Sequence, residues 1–188
     1  MVDRLDTPLQ PDPLQRIRRN SRLMAWACVL IIMALPVALA AYWSTVTSTE
    51  LAVQGSLPSL AIQQQLLPWQ RWSAGATMAV PLALMLVGVW QARLCFAHFA
   101  QGLVFTAQVA RYLRNAAAFM AIAGVAAVVC GAAASVILTW TNAPGTRQLS
   151  IAFSSNHIFT LFFAALIWMM ADVIAKGRAL VEENESFV

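Results

Sequence analysis

The sequence has few charged residues, and four long stretches of it have none. Only 11% of its 188 residues are Asp, Glu, Lys or Arg and 60% are hydrophobic, whereas average soluble domains carry roughly 25% charged residues. The uncharged stretches cover residues 23–49, 72–92, 115–146 and 148–171. A bilayer core about 30 Å thick requires about 20 apolar helical residues. Each stretch is long enough, so the sequence predicts an all-α membrane protein rather than a soluble domain.

Residues that carry chemistry are also scarce inside these stretches. No Asp, Glu, Lys or His lies in the middle of one, although such residues mark ion and proton paths through membranes. His98 and His157 lie near opposite ends of their spans, where interfacial hydrogen bonding is the expected role. The chain has no phosphate-binding glycine loop, no GxSxG and no HExxH motif. The sequence therefore indicates no enzyme, no catalytic residue and no cofactor.

Cysteine is rare as well, with three residues that are odd in number and far apart. Cys28, Cys95 and Cys130 all lie within or beside apolar stretches. This spacing favours neither a disulfide framework nor a metal site. We expect the three cysteines to pack as small apolar side chains.

The distribution of polar and apolar residues divides the chain into three predicted parts. Residues 1–20 contain three prolines among polar residues, which predicts a disordered cytoplasmic tail. Residues 21–180 form a four-span membrane domain, and residues 181–188 form an acidic cytoplasmic end. The predicted spans are about 23–43, 74–92, 115–140 and 151–171. The expected fold is a four-helix transmembrane bundle, with two related hairpins as a possible plan, plus short interfacial helices.

One of those interfacial helices is predicted in the longest connection, residues 44–73. Apolar residues recur there at roughly helical spacing over residues 57–67, with three glutamines between them. The pattern predicts a short amphipathic helix on the outer membrane surface. A ligand-sensing element is the functional alternative.

Basic residues are distributed unequally between the two sides of the predicted spans. Ten of the twelve Lys and Arg residues precede the first span, lie between the second and third, or follow the fourth. The two exceptions are Arg71 and Arg147. The positive-inside rule then places both termini in the cytoplasm. This distribution favours the bilayer and its anionic lipids as partners of the basic residues and does not favour direct nucleic-acid binding.

The third span is rich in alanine and has one face of small side chains. Ala123, Ala127, Gly131 and Ser135 recur every four residues. Small side chains allow close helix approach, which drives association in lipid. The sequence leaves open whether this face contacts another span or a second copy of the chain, so the oligomeric state stays open too.

Two segments at the predicted cytoplasmic side form the candidate functional motif. We expect helices to break at Gly102 and Gly177, Thr106 to cap a helix that continues into the third span, and Asp172 to pair with Lys176. The acidic ending, Glu182 to Glu185, is expected to attract the basic connection between the second and third spans, which contains Arg111 and Arg114. The motif residues are Gly102, Phe105, Thr106, Arg114, Gly177, Leu180, Glu182, Glu183 and Asn184.

These two segments together resemble a known family. The first reads Phe99-Ala-Gln-Gly102-Leu-Val-Phe105-Thr106 with Tyr-Leu113-Arg114 after it, and the second reads Lys176-Gly177-Arg-Ala-Leu180-Val-Glu182-Glu183-Asn184. They are similar to the motifs of the bacterial four-span membrane proteins catalogued as domain of unknown function 2975. The resemblance covers about Leu23 to Val188. Two departures are the terminal triplet Ser186-Phe187-Val188, where the family tends to have Leu-Thr-Val, and Asp172, where it often has a basic residue.

The resemblance implies a fold and a location in the bacterial inner membrane, but no activity. Family members often occur beside small helix-turn-helix regulators, which implies by analogy a membrane partner in a regulatory pair. We therefore expect a non-enzymatic, partner-binding membrane component that acts through its cytoplasmic face. Two alternatives are that the motifs only hold the hairpins together, and that the chain is a small transporter or transporter accessory subunit with spans bent at Pro36 and Pro81.

Overall fold

The computed structural model describes residues 13–47, 50–51, 67–103, 106–143 and 145–185, and these residues contain helices and no strand. Four long helices dominate: α1 (Pro13–Thr45), α2 (Pro68–Ala100), α3 (Ala107–Leu138) and α4 (Ser155–Glu185). Each contains a segment long and apolar enough to cross a membrane. The predicted all-α class, with four helices long and apolar enough to span a membrane, is confirmed for the described residues.

Successive helices run antiparallel, as contacts at both ends of each pair establish. In the first pair, Gly75 near the start of α2 lies against Trp43 at the end of α1, and Gly102 just beyond α2 lies against Arg18 at the start of α1. The pairs α2–α3 and α3–α4 are antiparallel as well. Gly88 lies against Ala116, for example. The connections between these four helices therefore begin and end at two ends of the molecule.

The two ends differ in charge, and we name them accordingly. The basic end contains the start of α1, the turn between α2 and α3, and the last part of α4. The opposite end contains the connections from α1 to α2 and from α3 to α4. Both the first and the last described residues belong to the basic end.

The helices pack in a single layer in the order of the chain. Among the described residues, α1 contacts α2, α2 contacts α3 and α3 contacts α4, and no other helix pair is in contact. This arrangement is more open than the bundle expected from the sequence. Apolar helix faces need no protein cover in lipid, because the acyl chains are as apolar as the side chains.

Helix α1 begins earlier than the sequence predicts. It starts at Pro13, so residues 13–20 of the predicted disordered tail are helical. Proline suits the first helical position, where its fixed φ is favourable and its missing N–H would have no partner. The following arginines belong to one helix with the first span, so the prediction for these eight residues is wrong. Residues 1–12 lie outside the described residues.

The connection from α1 to α2 starts with a helix cap. The Thr47 amide donates to Glu50 Oε2 over 3.0 Å, and the Glu50 amide donates to Thr47 Oγ1 over 3.4 Å. This reciprocal pair is a capping box, and the bond from the Thr47 amide lowers the pKa of the Glu50 carboxyl. The predicted amphipathic helix falls mainly on residues 52–66, outside the described residues, and Leu67 is the extended residue that precedes α2.

A buried polar network holds the opposite end together. Gln70 is completely buried, and its Nε2 donates to the Ile137 carbonyl over 3.1 Å and to Thr141 Oγ1 over 3.2 Å. Its Oε1 accepts the Leu67 amide over 3.1 Å. One side chain thus caps the start of α2 and binds the last turn of α3.

The same network continues along α3 to the segment that leads into α4. Thr139 is fully buried and accepts the Gln148 amide over 3.2 Å. Ser135 Oγ accepts the Ser150 amide over 3.0 Å. Next to it lies a hydrophobic cluster of Trp43, Val46, Leu51, Ala74, Ala134 and Leu138. The opposite end is therefore fixed by hydrogen bonds and packing together.

We predict that Gln70→Leu destabilises the protein by about 1–2 kcal/mol, because the change removes the buried amide that binds the Leu67 amide and the Ile137 carbonyl. Thermal unfolding in mild detergent measures the loss. Gln15→Leu is the control, since Gln15 is an exposed glutamine near the start of α1. Equal melting temperatures for the two variants would contradict a stabilising role for Gln70.

Candidate functional site at the basic end

The turn between α2 and α3 is built around Gly102. Its φ is +85°, a left-handed conformation that L side chains rarely adopt. The Gly102 amide donates to the Phe99 carbonyl over 3.0 Å, and the Leu103 amide donates to the His98 carbonyl over 3.1 Å. These two bonds form a Schellman motif, which ends α2 and reverses the chain. The predicted helix break at Gly102 is confirmed.

Helix α3 starts directly after this turn. Thr106 is its N-cap and accepts the Val109 amide at Oγ1 over 3.3 Å. The helix then runs without interruption to Leu138. Both the cap at Thr106 and the direct continuation into the third span agree with the sequence prediction. Phe105, also part of the candidate motif, lies outside the described residues.

A side chain from α1 reaches the turn. A Cβ built on Gly102 would lie 3.0 Å from Arg18 Nη2, so the guanidinium group lies directly against the glycine. Arg18 is otherwise exposed. The start of α1 therefore packs against the turn and adds positive charge to it.

His98 connects the two sides of the turn. Its Nδ1 lies 2.9 Å from the Leu94 carbonyl, and its Nε2 lies 3.2 Å from Gln108 Oε1 at the start of α3. Its ring also lies 5.3 Å from that of Tyr112. His98 is a hydrogen-bonding residue, as predicted. At the opposite end His157 has the same kind of role, because it accepts the Ser154 amide over 3.2 Å.

Arg114 joins α3 to α4. Its guanidinium forms a salt bridge with Asp172 and lies over the Trp168 ring, 5.6 Å from the ring centroid. Trp168 and Asp172 are one turn apart on α4, so the arginine lies between them. The helical spacing of Asp172 and Lys176 predicts a pair between these two residues instead. That prediction is wrong, because Asp172 reaches across to the neighbouring helix.

The second predicted helix break is absent. Helix α4 continues through Gly177 to Glu185, and a Cβ built on Gly177 would meet nothing within 4 Å. Gly177 is thus an ordinary helical residue, and the expected equivalence with Gly102 does not extend to conformation. The backbone of Leu180, Glu182, Glu183 and Asn184 is helical. Their side chains lie outside the description, so the predicted contact of the acidic ending with the turn stays a prediction.

The small-residue face of α3 lies away from the turn, nearer the opposite end. Ala123 and Ser135 are buried, whereas Ala127 and Gly131 are half-buried. A Cβ on Gly131 would lie 3.9 Å from Met78 of α2, so part of this face contacts the chain's own second helix. Gly124, one position from the stripe, lies instead against Thr160 of α4.

The described residues offer no centre for metal chemistry. They contain no group of three or more His, Cys, Asp and Glu side chains able to hold a metal ion. The three cysteines are free, with Cys28 and Cys95 buried and Cys130 half-buried. Their burial agrees with the expected packing role.

Sequence reasoning missed two contacts of the site: Arg18 with Gly102, and Arg114 with Asp172. Both join segments far apart in sequence, so no local pattern encodes them. The sequence does contain one indication of the Arg114–Asp172 contact. Arg114 directly precedes the third uncharged stretch and Asp172 directly follows the fourth, so both lie on the same side of the predicted spans.

Comparison with known proteins adds no family assignment. The chain matches no protein-family model, no curated protein and no solved structure.

We predict opposite effects of alanine at the two motif glycines. Gly102→Ala should destabilise the protein by about 1–2 kcal/mol, because alanine is strained at positive φ and its Cβ displaces Arg18. Gly177→Ala should have no cost or should stabilise by up to about 1 kcal/mol, because alanine favours the helix interior. Thermal unfolding in detergent measures both. A similar loss of stability in the two variants would contradict the different backbone conformations of Gly102 and Gly177.

Proposed function

We propose that the protein is a non-enzymatic membrane component that binds a protein partner through its basic end. The observation that carries this proposal is the turn at Gly102. Its backbone is fixed by the Schellman motif and the Thr106 cap, while Arg18 from α1 lies against it. The surface is thus preformed, positively charged and assembled from separate parts of the chain, and preformed surfaces lose less entropy on binding.

Charge on this surface indicates the chemistry of the partner. Of the described residues at the basic end four are acidic, Asp172, Glu182, Glu183 and Glu185, and nine are basic: Arg16, Arg18, Arg19, Arg22, Arg93, Arg111, Arg114, Lys176 and Arg178. Such an excess favours a partner that presents acidic residues. The family resemblance suggests by analogy a small helix-turn-helix regulator as that partner.

The proposal places the basic end in the cytoplasm of a bacterium. The support is the positive-inside distribution together with the location of both described ends on the same side of the molecule. We predict that alkaline phosphatase is inactive when fused after Val188 and active when inserted after Arg147. The reverse pattern would overturn the orientation and with it the cytoplasmic partner.

Partner binding is tested by site-specific photocrosslinking in cells. A photoreactive amino acid replaces Leu103, which is exposed in the turn, or Leu149, which is exposed at the opposite end. We expect one discrete protein adduct from position 103 and not from position 149. Adducts from neither position, or the same adducts from both, would contradict a binding surface at the basic end.

The acidic ending provides a second arm of the same experiment. Glu183→Ala with Asn184→Ala should reduce the adduct from position 103 while protein abundance stays unchanged, if these residues take part in partner binding. Loss of abundance would instead show that the ending stabilises the fold. Ser186→Ala, in the triplet that departs from the family pattern, is the control.

A further inference from the structure

A groove lies between α3 and α4 at the basic end. Its floor on the α3 side consists of Ala117, Ala118 and Ala121, and its α4 side includes Leu161 and Ala164. Its volume is about 470 Å³. The groove exists because alanine side chains do not fill the space between the two helices.

The groove has one polar end. Trp168 and Asp172 line it there, and Arg114 lies over the tryptophan ring in its salt bridge with Asp172. The pair is accessible, with side-chain exposures of 47% for Arg114 and 42% for Asp172. Elsewhere the lining is apolar. The groove therefore suits a ligand with one polar end and an apolar remainder.

The position of the groove matches one leaflet of a bilayer. Arg114 and Asp172 are the first charges beyond the third and fourth uncharged stretches. From Leu161 to Asp172 the helix rises roughly 16 Å at 1.5 Å per residue, close to half of a hydrocarbon core about 30 Å thick. Trp168 lies one helical turn closer to the bilayer centre than Asp172. This is the level of the membrane interface, where tryptophan is enriched.

Charges that follow the polar end of the groove along α3 and α4, which we call its rim, favour an anionic headgroup. Arg111 is one turn before Arg114 on α3, and Lys176 is one turn after Asp172 on α4. These three cations outnumber the carboxylate, which already accepts Arg114. A phosphodiester without a balancing amine suits this rim better than a zwitterionic headgroup.

We propose that the α3–α4 groove binds one anionic phospholipid of the adjoining leaflet. Its phosphate contacts Arg114, and one acyl chain lies on the alanine floor. This inference goes beyond the proposed partner binding and does not require it, since lipid binding is measured on the purified chain alone.

The test counts lipids retained on the purified protein by native mass spectrometry, with dioleoyl phosphatidylglycerol and dioleoyl phosphatidylethanolamine as probes. We expect one tightly retained phosphatidylglycerol, and about fivefold weaker retention after Arg114→Gln. Arg147→Gln is the matched control, because Arg147 lies over Trp140 in the same way at the opposite end. An equal effect of both changes, or equal retention of the two lipids, would overturn the proposal.

A second variant tests the groove independently of charge. Ala165→Phe fills the groove from α4, and Val129→Phe adds the same bulk to a lipid-facing position of α3 outside it. We expect only Ala165→Phe to abolish the retained phosphatidylglycerol. Unchanged retention would overturn the proposal, as would a dimer of the unaltered protein that Ala165→Phe dissociates, since a second copy would then occupy the groove.

Asp172→Asn tests whether the groove binds an anionic headgroup or a zwitterionic headgroup with an ammonium group. Because the change frees Arg114 and keeps its charge, retention of phosphatidylglycerol should stay the same or increase. Loss of phosphatidylethanolamine retention with no gain for phosphatidylglycerol would show that Asp172 binds an ammonium group, and the anionic assignment would be wrong.

Discussion

Inside a bilayer the backbone has no water with which to form hydrogen bonds, and the rest of the structure follows from this constraint. The described part of the chain satisfies most of its N–H and C=O groups within four long helices and leaves the helical conformation only at their ends. Even Pro81, which lacks an N–H, lies buried inside α2. Polar side chains that bind other segments are consequently concentrated at the two ends of the molecule.

The two ends use polar groups in different ways. At the opposite end the completely buried side chains of Gln70 and Thr139 bind backbone groups of Ile137 and Gln148. Loss of such a bond leaves an unsatisfied group, which is costly. At the basic end the Arg114–Asp172 pair is about half exposed, and exposed ion pairs contribute little to stability. The Arg114–Asp172 pair can therefore exchange its partners at little cost in stability.

Features encoded by neighbouring residues were predictable from the sequence. The four long helices follow from the length of the uncharged stretches, and the turn at Gly102 follows from a glycine with a capping threonine four residues later. Gly177 shows the limit of such local reasoning. It is followed by Arg-Ala-Leu-Val-Glu-Glu, all but valine strong helix formers, with no capping residue among them, so the helix continues. A glycine ends a helix only where the following residues also favour the turn.

The relation between α3 and its neighbours was not predictable, because the register of one helix against another depends on side chains distant in sequence. Arg114 could pair with any acidic residue on the same side until the alignment of α3 with α4 is known. The alanine content of α3 likewise has two opposite consequences. Small side chains permit close contact where Gly124 lies against Thr160, and they leave a groove where α4 also presents alanine at position 164. Whether small residues bring helices together or leave space between them therefore depends on what the facing helix presents, and this is where a ligand site can arise in a chain without catalytic motifs.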